Sequence, residues 1–246
     1  MSPSLWVLAV VFGASLLSMP VFALLRRGRP DADAVNRGST FLLGLGDFIV
    51  HWLMWVITPI ERVLVALGFG PDSMNVGGVL FGILSGVLIA VGQVEAGGWA
   101  IALSGICDIL DGRLARAKKI TSRYGNFIDA TLDRYVETFT FLGFAVYFAD
   151  WRFGPLVVAA GLGFSLLVSY AQARGEYSGV TGSVGLMQRA ERLSLQLLGC
   201  LFDPLLCRLL ALPQGTVLFW MLVLTAVGAA ITAVHRTIWI ALQLRR

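Results

Sequence analysis

The chain has 246 residues, of which 57% are hydrophobic and only 14% charged, and its mean hydropathy is +0.78. Water-soluble domains carry about 45–50% apolar and about 25% charged residues, so a soluble globular domain, a disordered chain and a disulfide-stapled secreted module are all excluded. The net charge of +4 does not point to nucleic acid, because the Lys and Arg residues flank apolar runs, as they do at cytoplasmic membrane ends.

A span needs about 20 apolar residues, and the chain predicts an all-α integral membrane protein without a separate soluble domain. Residues 4–25 form a continuous apolar run followed by Arg26, Arg27 and Arg29. A signal peptide carries its positive charges before the run, so this segment is expected to be an uncleaved extra transmembrane helix, with a polar linker at 29–40. The first unit is thus 1–40. In residues 41–68, Asp47, His51, Pro59, Glu61 and Arg62 interrupt the apolar residues and Trp52 and Trp55 lie among them. That mixture suits an interfacial amphipathic helix better than a span, giving a second unit at 41–70. Gly68, Gly70 and Pro71 break the chain.

Six further spans are predicted, at 76–93, 97–115, 126–148, 154–174, 187–210 and 216–242, as a six-helix bundle over residues 71–246. Breaks are expected at Gly97-Gly98, Gly154-Pro155 and Pro213-Gln214-Gly215. Gly78, Gly82 and Gly86 recur every fourth residue, a small-residue stripe that lets helix backbones approach closely. The three cysteines, Cys107, Cys200 and Cys207, form no framework and are expected to pack. Placing 26–75, 113–123, 174–192 and the C-terminus on one side leaves only Arg152 and Arg208 opposite. The positive-inside rule makes the first side cytoplasmic.

The informative stretch runs from Asp108 to Asp133. Asp108 and Asp111 are three apart and Asp129 and Asp133 four apart, so on helices each pair shares a face. Asp108 lies about 12 Å before Arg116 and Asp133 about 12 Å beyond Gly125 at 1.5 Å per residue. Two antiparallel neighbours therefore bring four carboxylates to one layer. Each Asp within a span costs about 2.5–3.5 kcal/mol, so four would cost roughly 10–14 kcal/mol near mid-depth. The bland alternative is four separately solvated helix-end carboxylates. Divalent cations compensate such a layer, and all-oxygen ligands favour Mg²⁺, Mn²⁺ or Ca²⁺ over zinc. Two such ions can clamp a diphosphate during displacement at phosphorus. Gly112 and Ala115 leave room beside the carboxylates, and Arg116 can pair with phosphate oxygens.

The residues Asp108, Asp111, Gly112, Ala115, Arg116, Gly125, Asp129 and Asp133, at these spacings, resemble the signature of the CDP-alcohol phosphatidyltransferase family. The resemblance implies transfer of a phosphatidyl-type group from a CDP-linked lipid, or of a phosphoalcohol from a CDP-alcohol, to a hydroxyl acceptor with release of CMP. It implies Mg²⁺ or Mn²⁺, as two ions, held by Asp108, Asp111 and Asp129 with Asp133 completing the site. Asp133 would also be the general base on the acceptor hydroxyl. Asp108, Gly112, Ala115, Arg116 and Gly125 would line the nucleotide pocket. The expected setting is a prokaryotic cell membrane with the site facing the cytoplasm, and dimers are common in the family.

A second cationic set comprises Arg174, Arg189, Arg192 and Arg236. It suits either a phosphorylated acceptor or contact with anionic membrane lipids. The segments at 169–176 and 189–192 resemble those of phosphatidylinositol-phosphate and archaetidylinositol-phosphate synthases, which implies acceptor contacts at Ser169, Gln172, Arg174, Arg189, Arg192 and Arg236. Gln172 stands where many such enzymes have Lys, which leaves glycerol phosphate or another polyol phosphate open beside inositol phosphate. Glu137, one turn beyond Asp133, is expected to pair with Arg134, to support the metals or to face a polar interior. His51 and His235 are expected to be structural. The alternatives are a CDP-alcohol phosphotransferase with a diacylglycerol-type acceptor, a divalent-cation transporter, which gives no role to Gly112, Ala115, Arg116 and Gly125, and an inactive scaffold, against which the complete set of eight signature residues argues.

Overall fold

The computed structural model describes residues 3–25, 45–120, 122–182 and 184–245. The polar linker expected at 29–40 lies outside the described residues. Among them the chain is helical: α1 (Pro3–Leu25), α2 (Leu45–Ala66), α3 (Pro71–Ala90), α4 (Val94–Ala117), α5 (Arg123–Tyr147), α6 (Gly154–Tyr177), α7 (Arg189–Leu209) and α8 (Thr216–Leu244). Helices α3 to α8 coincide with the six predicted spans to within a few residues. One break differs. The α3–α4 turn falls at Gly92, whose φ is +83°, a left-handed conformation that favours glycine. Gly97 and Gly98 lie inside α4, where Cβ atoms would press on Ile89 and on Cys200 and Leu201.

Among the described residues, four helical stretches are long and apolar enough to cross a membrane: Phe48–Ala66, Pro71–Ala90, Gly154–Tyr177 and Thr216–Leu244. The first belongs to the helix expected to be interfacial, so its length and apolarity also suit a crossing. Outward-facing Leu80, Val87, Leu142, Val146, Leu224 and Ile231 are all more than half exposed. Side chains of this kind cover the lipid-facing surface of a multi-pass membrane protein. Helices α4, α5 and α7 are not among the four. They carry Asp108, Asp111, Asp129, Asp133, Arg189 and Arg192, and that cost in apolarity separates them from α3, α6 and α8.

Contacts divide the chain into two compact units, Met1–Ser73 with Leu110–Lys119, and Met74–Ile109 with Ile120–Arg246. In the first, α1 and α2 pack through Phe22 against Phe48 and Trp55, and Trp52 Nε1 donates to Ser18 Oγ at 2.8 Å.

In the second unit, small residues set the helix spacing, as the glycine stripe predicts. A Cβ on Gly86 would collide with the carbonyl oxygen of Phe139, and one on Gly143 with that of Gly86, so α3 and α5 touch backbone to backbone. Ser85 Oγ and Thr140 Oγ1 are hydrogen-bonded at 2.9 Å beside this crossing, and Ser104 Oγ of α4 donates to Gly78 O of α3 at 2.8 Å. Such interhelical bonds are worth about 0.6–1.7 kcal/mol in membranes. Phe141, Phe144 and Phe148 fill the core with Ile89, Ile101 and Leu222. The same unit buries Asp203 of α7, whose carboxylate accepts from the backbone N–H groups of Gly215 at 2.8 Å and Leu218 at 3.0 Å. A carboxylate thus satisfies the free donors at the start of α8 and faces the positive end of its dipole. Cys200 and Cys207 are buried free thiols, as expected.

Candidate active site

Helix α5 begins at Ser122, whose Oγ accepts from Gly125 N at 3.0 Å, an N-cap that fixes the helix start. From there α5 carries Asp129 and, one turn on, Asp133. Helix α4 carries Asp108 and Asp111 on one face. The carboxylates of Asp108, Asp111 and Asp129 each offer one oxygen within 4.8 Å of the others. Three hard anionic oxygens at this spacing, from two helices, fit a divalent cation that prefers oxygen ligands, such as Mg²⁺ or Mn²⁺.

Asp133 stands beside this group and is linked to it through Arg189, the first residue of α7. Arg189 Nη2 lies 2.5 Å from Asp133 Oδ1 and its Nη1 2.9 Å from Asp108 Oδ1. One guanidinium therefore bridges carboxylates of α4 and α5 and offsets their mutual repulsion. A fixed cation within the carboxylate layer also opposes an ion-conduction path. Arg134 approaches the other oxygen of Asp133 at 3.6 Å while donating to Ala130 O at 2.6 Å.

The other residues expected on the nucleotide side are on the same two helices. A Cβ on Gly112 would lie 3.3 Å from Arg116 Nη1, so the missing side chain makes room for that guanidinium. Ala115 is half-buried and Arg116 exposed.

The cationic set divides. Arg192 is buried, with Nε on Glu137 Oε1 at 3.1 Å and Nη1 on Met187 O at 3.3 Å, while its Nη2 has no hydrogen-bond partner among the described residues. The partner of Glu137 is therefore Arg192. Arg236 donates from Nε to Val184 O at 3.0 Å and from Nη1 to Val168 O at 3.1 Å, holding the segment before α7 against α6 and α8. Gly185 in that segment has φ +118°, and a Cβ there would collide with Thr232. Arg174 lies over the ring of Tyr177 at 5.4 Å. Gln172 donates to Glu176 Oε1 at 2.5 Å, and Ser169 lines an outward groove between α5 and α6 with Arg134 and Tyr170. Sequence reasoning gave Arg189 a place on the acceptor side without its link to the two aspartates, since that link joins residues far apart in the chain.

The CDP-alcohol phosphatidyltransferase family model matches residues 70–228. The chain belongs to this family. It is a phosphatidyltransferase, an enzyme of phospholipid biosynthesis. The chain is 34% identical over 221 residues to the phosphatidylinositol phosphate synthase of Streptomyces avermitilis, covering 86% of this chain and 89% of the relative. It is also 34% identical over 192 residues to that of Mycobacterium tuberculosis, covering 75% and 86%. Among solved structures it is similar to the Mycobacterium tuberculosis phosphatidylinositol phosphate synthase with CDP-DAG bound. There the TM-score is 0.65 at 28% identity, covering 75% of this chain and 93% of the other. The same enzyme in complex with manganese and citrate gives a TM-score of 0.65 at 31% identity, covering 74% and 88%.

Proposed function

We propose that this phosphatidyltransferase moves the phosphatidyl group of CDP-diacylglycerol to a hydroxyl of inositol phosphate and releases CMP, at the cytoplasmic face of a cell membrane. The observation that carries the reading is the convergence of Asp108, Asp111 and Asp129 with Asp133 tied in through Arg189. The acceptor rests on the identity to phosphatidylinositol phosphate synthases over most of the chain.

Asp108, Asp111 and Asp129 would hold Mg²⁺ or Mn²⁺. When bound, the metal supplies Lewis-acid stabilisation of charge on the diphosphate. Gly112, Ala115, Arg116 and Gly125 would accept the cytidine diphosphate, with Arg116 meeting a phosphate oxygen. In the transfer a new bond forms between the acceptor oxygen and the lipid-bearing phosphorus, and the bond from that phosphorus to CMP breaks. The proton leaving the acceptor hydroxyl goes to a carboxylate oxygen of Asp133. Arg189 positions that carboxylate, and its second hydrogen bond to Asp108 ties the base to the metal layer. The acceptor's own phosphate would be met by guanidinium groups, with the unpartnered Nη2 of Arg192 as one donor. Gln172 is engaged with Glu176 and brings no charge to this pocket.

The test is CMP release from detergent-purified protein given CDP-diacylglycerol and Mg²⁺ or Mn²⁺, with inositol 1-phosphate, glycerol 3-phosphate, serine and inositol supplied singly. Release with inositol 1-phosphate alone is expected, and release with glycerol 3-phosphate alone would replace the acceptor. Asp133→Asn should abolish transfer while CDP-lipid binding persists; unchanged turnover would remove Asp133 from the catalytic role.

A further inference from the structure

Arg113 sits between the signature residues Gly112 and Ala115, yet its side chain is turned away from them. At about 100° per residue, it lies about 160° round α4 from both Asp111 and Ala115. It is only 8% exposed, and its guanidinium is taken up by one face of α2. Nε donates to Glu61, Nη2 to Thr58 Oγ1 at 3.1 Å and Nη1 to Met54 Sδ at 3.3 Å. Positions 54, 58 and 61 are one helical face, and Thr58 Oγ1 is itself fixed by donating to Met54 O at 2.7 Å. Five residues on, Lys118 Nζ donates to the carbonyls of Gly68 at 3.2 Å and Phe69 at 2.6 Å, just past the end of α2. Arg113 of α4 and Lys118, just past its end, thus anchor to α2 and its C-terminal turn, and Ala115 and Arg116 lie between them.

This stretch needs a brace. Gly112 is an interior helical glycine, which weakens a helix by about 1 kcal/mol relative to Ala, and α4 ends five residues later. Unsupported, the last turns would fray just where the backbone must hold Gly112 and Arg116 in register. An Arg buried this deeply is expensive unless its charge and hydrogen bonds are met, and Glu61 meets the charge.

We propose that Glu61 and Thr58 are positioning residues, which act through Arg113 to hold the end of α4 that carries Gly112, Ala115 and Arg116 in its nucleotide-binding geometry. Helix α2 is then a working part of the active site as well as a membrane element. The inference rests on the reading that these three residues face the cytidine diphosphate.

The experiment is titration of CDP, with Mn²⁺ present, into the full-length protein in detergent, followed by calorimetry. Wild type is compared with Glu61→Gln and Thr58→Val, and affinity is expressed per folded molecule. Charge-assisted hydrogen bonds contribute more than neutral ones, so Glu61→Gln should weaken CDP binding about tenfold and Thr58→Val about threefold. Thr58→Val keeps the ion pair intact and decides the matter if Glu61→Gln does not yield folded protein. A role confined to stability would lower the unfolding temperature and leave affinity unchanged, and that result would overturn the proposal. Absence of CDP binding in the wild type would remove the nucleotide reading itself, and this inference with it.

Discussion

Glu137 and Arg192 form a buried ion pair between α5 and α7, with side chains 10% and 1% exposed. Removing one partner of such a pair leaves the other charged and desolvated, at a cost of about 3–5 kcal/mol. Glu137→Gln keeps the shape and leaves an amide oxygen for Arg192 Nε, so a smaller cost applies, about 2–3 kcal/mol. For a chain of this size each kcal/mol moves the unfolding midpoint by about 2–4 °C, which predicts a fall of about 4–12 °C. The assay is thermal unfolding in detergent followed by tryptophan fluorescence. Replacing both residues with apolar side chains, Glu137→Leu with Arg192→Met, should recover most of the loss, because a buried pair and a packed apolar pair are often equivalent in stability. Transfer to the acceptor should stay defective in the double variant, since its guanidinium is missing. A Glu137→Gln protein that melts with the wild type, or a double variant no more stable than the single, would refute the reasoning.

Asp129→Asn removes one of three converging carboxylates and should weaken Mn²⁺-dependent CDP binding by at least tenfold while the fold persists; calorimetry with and without Mn²⁺ reads this directly. Gly86→Ala puts a Cβ on the carbonyl of Phe139 and must push α3 from α5, so folded yield should drop sharply, whereas Gly163→Ala, which meets nothing within 4 Å, should be silent. Asp203→Asn leaves one of the two amides at the start of α8 facing a side-chain NH₂ in place of an oxygen, and should cost about 1–3 kcal/mol in thermal unfolding without altering nucleotide affinity.

Helices α3, α6 and α8 were legible because lipid imposes a long apolar run on such segments, the more polar α4, α5 and α7 from the breaks that bound them, and the intervals of three and four residues put Asp108 with Asp111 and Asp129 with Asp133. The Gly78, Gly82 and Gly86 stripe was legible for the same reason of period. Gly143, its partner on α5, was not, since a lone glycine carries no period. The turn at Gly92 was misplaced to Gly97-Gly98 because a glycine pair resembles a break by composition, while the backbone there needed close packing. The pairing of Arg189 with Asp108 and Asp133, of Arg192 with Glu137 and of Arg113 with Glu61 each joins residues more than fifty positions apart. Such pairings depend on which helices become neighbours, information that local sequence does not hold. Membrane topology counting assigned Arg113 to the cytoplasmic rim, and the structure uses it as an internal fastener.

The division of labour among the helices bears on how the molecule is made. The carboxylates and Arg189, which bridges two of them, sit on α4, α5 and α7, while α3, α6 and α8 are the bundle members apolar enough to cross by length and composition. Each polar helix therefore emerges during synthesis next to an apolar one, α4 after α3, α5 before α6, and α7 before α8. An Asp that is costly alone in lipid becomes tolerable once a neighbour is present to cover it. The alternation gives the membrane-insertion machinery a greasy escort for each polar segment, so carboxylates too polar to enter a bilayer by themselves can be delivered there in pairs.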